Sequence, residues 1–583
     1  MYLIIGASSF IGNHLYNYFI ENGIEVIGTY FTHPYNKAWI RFDLCSGNLE
    51  ELCHTYLEDR IPEAVIICGA DTSIDHCISN EAASTKVNVE GTKKVIDQAG
   101  KMGIKIVFLS SEAVFDGKKG MYTEEDMPNP VTLYGRQKLE IERYMSGHLK
   151  EYLIFRISRA VGSKYGEKDI FCEFYNKIIR HEEIVCLENQ SFCVTDAEDI
   201  AKAARKALEL NLSGLYHLSS KNYISRYRLA AIYVEKIVGF YKKISEKKYS
   251  DLAFIDNRHV YGGLNGTKLE RLLKISYKDI ETILDSYAKS MPEKQYLILG
   301  AGGNIGSYVY GRLRADGKKT LGTAHHTDNR GNLIHFDILK DDICNLAKEF
   351  NQREKVAVVC IGQSNIKQCC ENYKQAYEIN VIKTKELIHT LCQNGFYVIF
   401  FSTDNVFDGK EGGYTESSKT NAVNKYGSMK EEMEQYLLKN EPDVCILRLS
   451  KVVDTVPSKQ NIFYEWEKQA EDGDVLCIRG NRLSFVAMED VYQACLLAGN
   501  LKLHGLYNIV GDVAYSRAEL AGKFYDKLGK KPVKIRECDA NEINLKDNRP
   551  LNISMDNEKF KKETGYQFMS MDDVIEQYIA NKK

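Results

Sequence analysis

Short, unbroken apolar runs alternate along this chain with longer stretches in which apolar residues return every three or four positions. In the first half the runs are Tyr2 to Ile5, Glu25 to Gly28, Ala64 to Cys68, Lys105 to Leu109 and Tyr152 to Ile157. The stretch after the first run carries Ile11, Leu15 and Phe19 on one helical face. A strand covered on one face reads as an alternation, whereas one covered on both faces reads as a continuous run. The pattern therefore predicts an α/β fold, a doubly wound, Rossmann-type parallel sheet between layers of helix.

The pattern then repeats. Laid against itself, the chain shows one register at an offset of about 292 to 294 residues, a domain-sized duplication rather than a solenoid period. Gly6-Ala7-Ser8-Ser9-Phe10-Ile11-Gly12 matches Gly300-Ala301-Gly302-Gly303-Asn304-Ile305-Gly306, and Phe42-Asp43-Leu44 matches Phe336-Asp337-Ile338. Asn88-Val89 matches Asn380-Val381, Tyr134-Gly135 with Lys138 matches Tyr426-Gly427 with Lys430, and Asn257-Arg258 matches Asn548-Arg549. The join falls in the short polar stretch Ser290-Met291-Pro292-Glu293-Lys294, so two tandem units are expected, residues 1–291 and 295–583.

Composition narrows the function classes. A chain of 583 residues with 44% hydrophobic and 27% charged residues is globular and too long for one core. Its 77 Lys+Arg against 80 Asp+Glu leave no excess of cations to displace counterions from a nucleic acid, so none is expected as a partner. The 16 Cys lie mostly in apolar strands and form no C-x-x-C pair. They read as reduced thiols in a cytoplasmic protein without a metal site, and the adjacent Cys369-Cys370 pair reads the same way. The apolar start, Met1 to Ile5, is too short for a signal or a membrane span and reads as a strand, so no membrane partner is expected.

The first strand of each half runs into a glycine-rich turn and then a helix, the context in which backbone N–H groups and a helix N-terminus meet a pyrophosphate. A dinucleotide is expected, held by Gly6, Ser9, Phe10, Ile11 and Gly12 in one half and by Gly300, Gly303, Asn304, Ile305 and Gly306 in the other. Ser9 stands where the second half has Gly303, which predicts weaker cofactor binding by the first half. Thr29 and Thr323 sit near the end of the second strand, where an acid selects a free ribose 2′-OH. The absence of that acid, with His33, Lys37, His325 and His326 nearby, points to NADP, NAD being the alternative. Asp43-Leu44 and Asp337-Ile338, repeating in register shortly afterwards, are placed with the cofactor set.

The chemistry is carried by Ser111, Tyr134 and Lys138, repeated as Thr403, Tyr426 and Lys430. Tyr and Lys four apart share one helical face. A neighbouring ammonium favours a phenolate, so the lysine is expected to lower the tyrosine pKa and equip it as an acid or base, with the Ser or Thr hydroxyl on the substrate oxygen.

Taken together, these motifs resemble the extended short-chain dehydrogenase/reductase superfamily and, more narrowly, the dTDP-4-dehydrorhamnose reductase family. Leu109 to Gly117, Tyr122-Thr123-Glu124, Pro130 and Tyr134 to Glu140 carry the likeness in the first half, and Phe401 to Gly409 in the second. Gly214 to Leu218 and Gly505 to Ile509, followed by Ser225-Arg226 and Ser516-Arg517, extend it to nearly the whole chain. The resemblance implies a smaller C-terminal region in each half that grips a nucleotide-sugar. It also shows departures. Gln190 and Thr195 fit a substrate-contacting element whose Pro is Val194 here, and Asn481 to Val486 replaces that element in the second half. Arg159 and Lys451 stand where the reductases carry a Trp; each faces a phosphate or carboxylate, or is a solvated loop charge. The sugar is therefore left open.

Dehydratases of the superfamily place Asp-Glu after the catalytic Thr, whereas this chain has Glu112-Ala113 and Asp404-Asn405, which disfavours loss of water. The function implied is NADP-dependent reduction of a keto group on a nucleotide-activated sugar of 4-keto-6-deoxy type, in a protein that can form homo-oligomers. The alternatives are a nucleotide-sugar epimerase and a non-catalytic binding or regulatory protein, since the resemblance extends to the β-subunit of methionine adenosyltransferase.

Overall fold

The computed structural model describes residues 1–34, 36–239, 241–326, 333–351, 354–529, 534–539, 542 and 547–582. The chain divides into two compact units, Met1–Ile237 with Lys243–Met291, and Pro292–Lys583 with Val238–Lys242.

In the first unit seven strands form one sheet: β1 (Tyr2–Ile5), β2 (Val26–Tyr30), β3 (Ile40–Arg41), β4 (Ala64–Ile67), β5 (Lys105–Ser111), β6 (Tyr152–Ile157) and β7 (Gly214–Leu218). Their order is β7-β6-β5-β4-β1-β2-β3, and every pairing is parallel. The second unit repeats the design with β8 (Lys294–Leu299), β9 (Lys319–Ala324), β10 (Leu333–His335), β11 (Glu354–Val359), β12 (Phe396–Thr403), β13 (Val444–Leu449) and β14 (Gly505–Ile509). The order there is β10-β9-β8-β11-β12-β13-β14, again all parallel. This is the doubly wound fold, in which ligands bind beyond the carboxyl ends of the strands where the order reverses, beside β1 and β8.

The apolar runs account for the layering. Ile4, Ala64, Ile66, Val107 and Phe155 enter the core on one face of the first sheet, whereas Leu3, Ile5, Val65, Ile67, Ile106 and Ile154 enter the core on the other. Successive side chains point to opposite faces, so a strand with a core on each side has no position left for polar residues.

The sheet departs from the sequence reading at several strand ends, with β5 running on to Ser111, and in two further strands at its edges, β3 and β7. The second strand runs two residues beyond Gly28, because Thr29 and Tyr30 continue the ladder with Ile40 and Arg41. Cys68 lies just past β4, at the sheet's carboxyl edge. All sixteen cysteines are free thiols. Among the described residues no cluster of His, Cys, Asp and Glu could hold a metal ion, and no helix is long and apolar enough to cross a membrane.

Beyond the sheet each unit has a smaller C-terminal region of short strands. In the first, Arg159–Val161 pairs with Ser191–Asp196, which pairs in turn with Tyr223–Ser225, and Ile184–Leu187 pairs with Ile244–Lys247. In the second, Val452–Val453 pairs with Val486–Ala487, Arg482–Leu483 with Tyr515–Ser516, and Val475–Ile478 with Ile535–Cys538.

Candidate active site

The glycine turn follows β1 directly and leads into α1 (Phe10–Glu21). Gly6 has φ +84° and Gly300 φ +88°, backbone that a side chain would strain. Each is anchored from below: Gly6 N donates to Thr29 Oγ1 at 3.0 Å and Gly300 N to Thr323 Oγ1 at 3.2 Å. Thr29 and Thr323 are 0% and 1% exposed. They are buried supports of the turn. Asp43 is likewise committed locally, accepting from Cys45 N at 2.9 Å and Ser46 Oγ at 2.7 Å, and Asp337 accepts from Leu339 N at 3.0 Å. Leu44 is buried and Ile338 half-buried in the adjoining cores.

Ser9 is the N-cap of α1, and its hydroxyl accepts from Gly12 N at 3.1 Å. Gly303 caps the matching helix, α2 (Asn304–Ala315), without a side-chain bond. A Cβ built at Gly303 meets Gly300 O at 3.4 Å, a contact the turn can accept. The difference between the two turns is thus that Ser9 accepts from Gly12 N–H, whereas Gly303 offers no side chain to the matching Gly306 N–H. Gly6, Gly12, Gly300 and Gly306 shape the turns, while Phe10 and Ile11 face the cavity described below. Asn304 is exposed and Ile305 half-buried at the start of α2.

Tyr134 and Lys138 lie on α3 (Leu133–His148), and Tyr426 and Lys430 on α4 (Lys425–Asn440). Thr132 caps the first of these helices on Gly135 N at 3.0 Å, and Asn424 caps the second on Gly427 N at 2.8 Å. A Cβ at Gly135 would stand 2.0 Å from Ala113 O, and one at Gly427 2.0 Å from Asn405 O. Only glycine lets each helix start press against the turn after β5 or β12. That approach brings the preceding tyrosine to the strand end, within electrostatic reach of its partner hydroxyl, Ser111 for Tyr134 and Thr403 for Tyr426.

Lys138 Nζ donates to Leu109 O at 2.8 Å and lies 5.7 Å from the Tyr134 ring centre; Lys430 Nζ donates to Phe401 O at 2.8 Å. Burial pulls both ammonium groups down to about 8. Here the structure corrects the sequence reading. Burial raises the pKa of Tyr134 above the ordinary phenol value, against the Ser111 hydroxyl, which lowers it; burial likewise raises that of Tyr426, aided by the Asp404 charge. Loss of hydration dominates, so both tyrosines are neutral phenols at physiological pH.

The residues after Ser111 and Thr403 act differently in the two halves. Glu112 accepts from Ser158 Oγ and, at 2.6 Å, from Gly263 N, tying the end of β5 to the C-terminal region. The shorter Asp404 accepts from Thr403 Oγ1 at 3.1 Å and from Ser450 Oγ at 2.7 Å, and burial pushes its carboxyl up to about 6.

In the first half a cavity of about 950 Å³ joins these parts. It runs from Ser9, Phe10 and Ile11 past Ser111, Tyr134 and Lys138 into the C-terminal region. Gln190 and Arg159 line it, the latter over the Phe192 ring at 5.3 Å. Thr195 does not: it is fully buried and accepts from Ser220 N at 2.9 Å. The sequence reading assigned no role to Arg226 and Arg258, which also reach the cavity. Their recurrence as Arg517 and Arg549 was the available signal. Asn88 and Asn380, matched without a role, sit in single π-helical turns and brace the segment after β4 or β11. Asn88 accepts from Asp71 N at 2.8 Å, and Asn380 from Gln363 N at 2.8 Å.

Comparison with known proteins gives one family for both halves. The family model described as the RmlD substrate binding domain matches residues 1–292 and again 294–583. The dTDP-4-dehydrorhamnose reductase of Sinorhizobium fredii is 30% identical over 235 residues, 38% of this chain and 77% of that protein. The methionine adenosyltransferase 2 subunit beta of Bos taurus is 25% identical over 235 residues, 39% of this chain and 69% of that protein. Among solved structures, the dTDP-4-dehydrorhamnose reductase of Bacillus anthracis in complex with NADP aligns with a TM-score of 0.44 and 18% identity, covering 50% of this chain and 99% of that one.

Proposed function

This chain belongs to the RmlD substrate binding domain family through both of its halves, and we propose that it is an NADP-dependent oxidoreductase acting on a keto group of a nucleotide-activated sugar, of the 4-keto-6-deoxy type. The observation that carries the reading is the Ser/Thr, Tyr, Lys set, built twice at the same strand end and, in the first half, opening on one cavity with the glycine turn.

The turn residues fit a nicotinamide dinucleotide: the backbone is held in place by Thr29 or Thr323, and the following helix N-terminus favours a pyrophosphate. When bound, that cofactor supplies the hydride. The protein's own residues supply the rest. Ser111 or Thr403 holds the carbonyl oxygen, and Tyr134 or Tyr426, a neutral phenol at working pH, delivers a proton to it. The phenolate left behind is stabilised by Lys138 or Lys430, which is still charged below about pH 8. A tyrosine with a raised pKa suits the direction of reduction, since it starts as the acid.

The test is consumption of NADPH by the whole chain with a panel of keto-sugar nucleotides, alongside mass spectrometry of ligands released from the purified protein. Turnover with at least one member of the panel supports the reading. A second reading, a partner-binding subunit without turnover, is favoured by the likeness to the methionine adenosyltransferase 2 subunit beta. Stoichiometric co-purification of a second protein, with no turnover on the panel, supports that one instead.

A further inference from the structure

One ion pair in the first half joins the cofactor turn to the C-terminal region. His14 lies one helical turn beyond Phe10 on α1, and the two rings meet edge to face at 5.2 Å. Its Nε2 stands 3.0 Å from Glu167 Oε1, and the side chains are only 16% and 21% exposed, so water and salt screen this pair less than a surface one. Phe10 lines the cavity on one side of the pair, and Lys168 and Asp169, which follow Glu167, line it on the other. Glu167 belongs to a loop closed on itself, residues 162–169. Its Oε2 accepts from Lys164 N at 3.3 Å, Asp169 Oδ2 accepts from Gly162 N at 2.7 Å, and a Cβ at Gly162 would overlap the Glu167 carboxylate. The loop is thus built around the group that reaches α1.

The other charges around His14 have partners of their own or flank the loop. From the helix Ala197–Glu209, Glu198 faces it but pairs with Lys278 at 2.7 Å, and Lys278 also reaches Asp196 at 3.3 Å. From the loop, Lys164 and Lys168 flank Glu167, and Asp169 is turned to the N–H groups of Gly162 and Cys172. The second half has changed both members of the pair. Tyr308 stands in place of His14 and, counting back from the matching N-caps Asp169 and Asn461, Lys459 in place of Glu167. Tyr308 Oη donates instead to Glu489 Oε2 at 2.8 Å, and Glu489 is the counterpart of Glu198 rather than of a loop residue. Burial and Glu489 raise that phenol above its ordinary value, so it keeps one charge state over the range of about pH 5 to 8 in which an imidazole gains or loses its proton.

We propose that His14 is a positioning residue of the first half: protonated, it clasps the loop 162–169 to the cofactor helix and closes that side of the cavity, and loss of the proton releases the loop. A charged imidazole gives Glu167 a charge-assisted hydrogen bond, whereas a neutral one leaves a weaker bond to an uncompensated carboxylate. The loop is therefore held in acid and freed as pH rises, in this half alone. The effect on ligands rests on the reading above of the cavity as the joint site of cofactor and sugar. The clasp itself rests only on the residues named here.

The experiment is hydrogen exchange of the whole chain at about pH 6 and about pH 8, corrected for the intrinsic rate at each pH, with calorimetric titration of NADPH under the same conditions. Wild type is compared with His14→Gln, His14→Lys, Glu167→Gln and, in the second half, Tyr308→Phe. In wild type the peptide covering residues 162–169 should exchange about fivefold faster or more at the higher pH, while that covering residues 454–461 shows no such change. His14→Gln and Glu167→Gln should exchange fast at both pH values, and Tyr308→Phe should match wild type at 162–169. His14→Lys keeps a cation at both and should hold the loop at the higher pH, a gain of protection that misfolding cannot imitate. NADPH affinity at one of the two turns should follow the loop. Equal exchange at the two pH values in wild type, or a pH dependence that survives in His14→Gln and Glu167→Gln, overturns the proposal. The expected exchange pattern, with NADPH affinity indifferent to pH and to every variant, upholds the clasp while refuting the reading of the cavity as a cofactor site.

Discussion

Lys138 Nζ donates a 2.8 Å hydrogen bond to Leu109 O, and the same bond joins Lys430 to Phe401. The lysine is thus held by the strand that ends in Ser111 or Thr403, close to the phenol of the same helix. Because burial brings both lysines to about 8, activity in the direction of reduction should fall as pH rises through 8. Stability should move the opposite way. A lysine whose folded pKa lies below its unfolded value of about 10.4 binds fewer protons when folded, so its burial cost is lifted as pH rises from 8 to about 10.4. A pH–rate profile and denaturant melts over that range check both signs, with Lys138→Met expected to flatten the stability change contributed by the first half.

Ser9 accepts from Gly12 N–H, whereas Gly303 offers no side chain to the matching Gly306 N–H in the other half. We expect Ser9→Gly to tighten NADPH binding at the first turn and Gly303→Ser to weaken it at the second, by about tenfold or less in each case. The helix itself should lose only a few tenths of a kcal/mol in Ser9→Gly, since Gly is a tolerated N-cap. Calorimetric titration of NADPH into the whole chain reads both changes. Equal affinities across wild type and both variants would show that the hydroxyl yields its bond without cost.

Asp404 gives the second half a buried carboxyl beside Thr403 whose pKa is raised. Its carboxyl, at about 6, accepts from Thr403 and Ser450. With the first half silenced by Tyr134→Phe, turnover should show an acid limb near pH 6 that disappears in Asp404→Asn. A carboxyl raised above its unfolded value stabilises the fold below that value and loses this contribution as pH rises to 6, so Asp404→Asn should also remove a small stability decline between about pH 4 and 6.

The buried pair Arg156–Glu142, joined at 2.6 Å, is repeated as Arg448–Glu434 at 2.7 Å. Removing one partner strands a charge in the core behind the catalytic strand. Glu142→Gln should therefore cost about 3–5 kcal/mol, and replacing both members by apolar residues should cost much less. Urea unfolding monitored by circular dichroism distinguishes the two.

The layered sheet was legible because burial on both faces leaves a direct trace, as in Ala64 to Ile67, where every residue is buried. The Ser/Thr, Tyr, Lys sets were legible because each lies at a fixed spacing that the duplication repeats. Other features depend on what surrounds a residue. The phenol pKa was read with the wrong sign, since a local neighbour is visible in sequence and loss of hydration is not. Thr29 was read only as near the position of a ribose-selecting residue, because strand ends shift by a residue or two, and that shift turns a side chain from one face to the other. Arg226 and Arg258 acquire meaning only through Glu173 and Asp75, partners separated by 53 and 183 residues.

The most direct measurement of the proposed chemistry is single-turnover oxidation of NADPH with a keto-sugar nucleotide, in wild type and in Tyr134→Phe, Tyr426→Phe and the double variant. Phenylalanine keeps the ring and removes only the hydroxyl that carries the proton. The expected result is a partial loss in whichever single variant carries an active half and a loss of about 10²–10⁴-fold in the double variant, with NADPH still bound. Undiminished turnover in the double variant would contradict proton transfer by these tyrosines and, with it, the assignment of both sites.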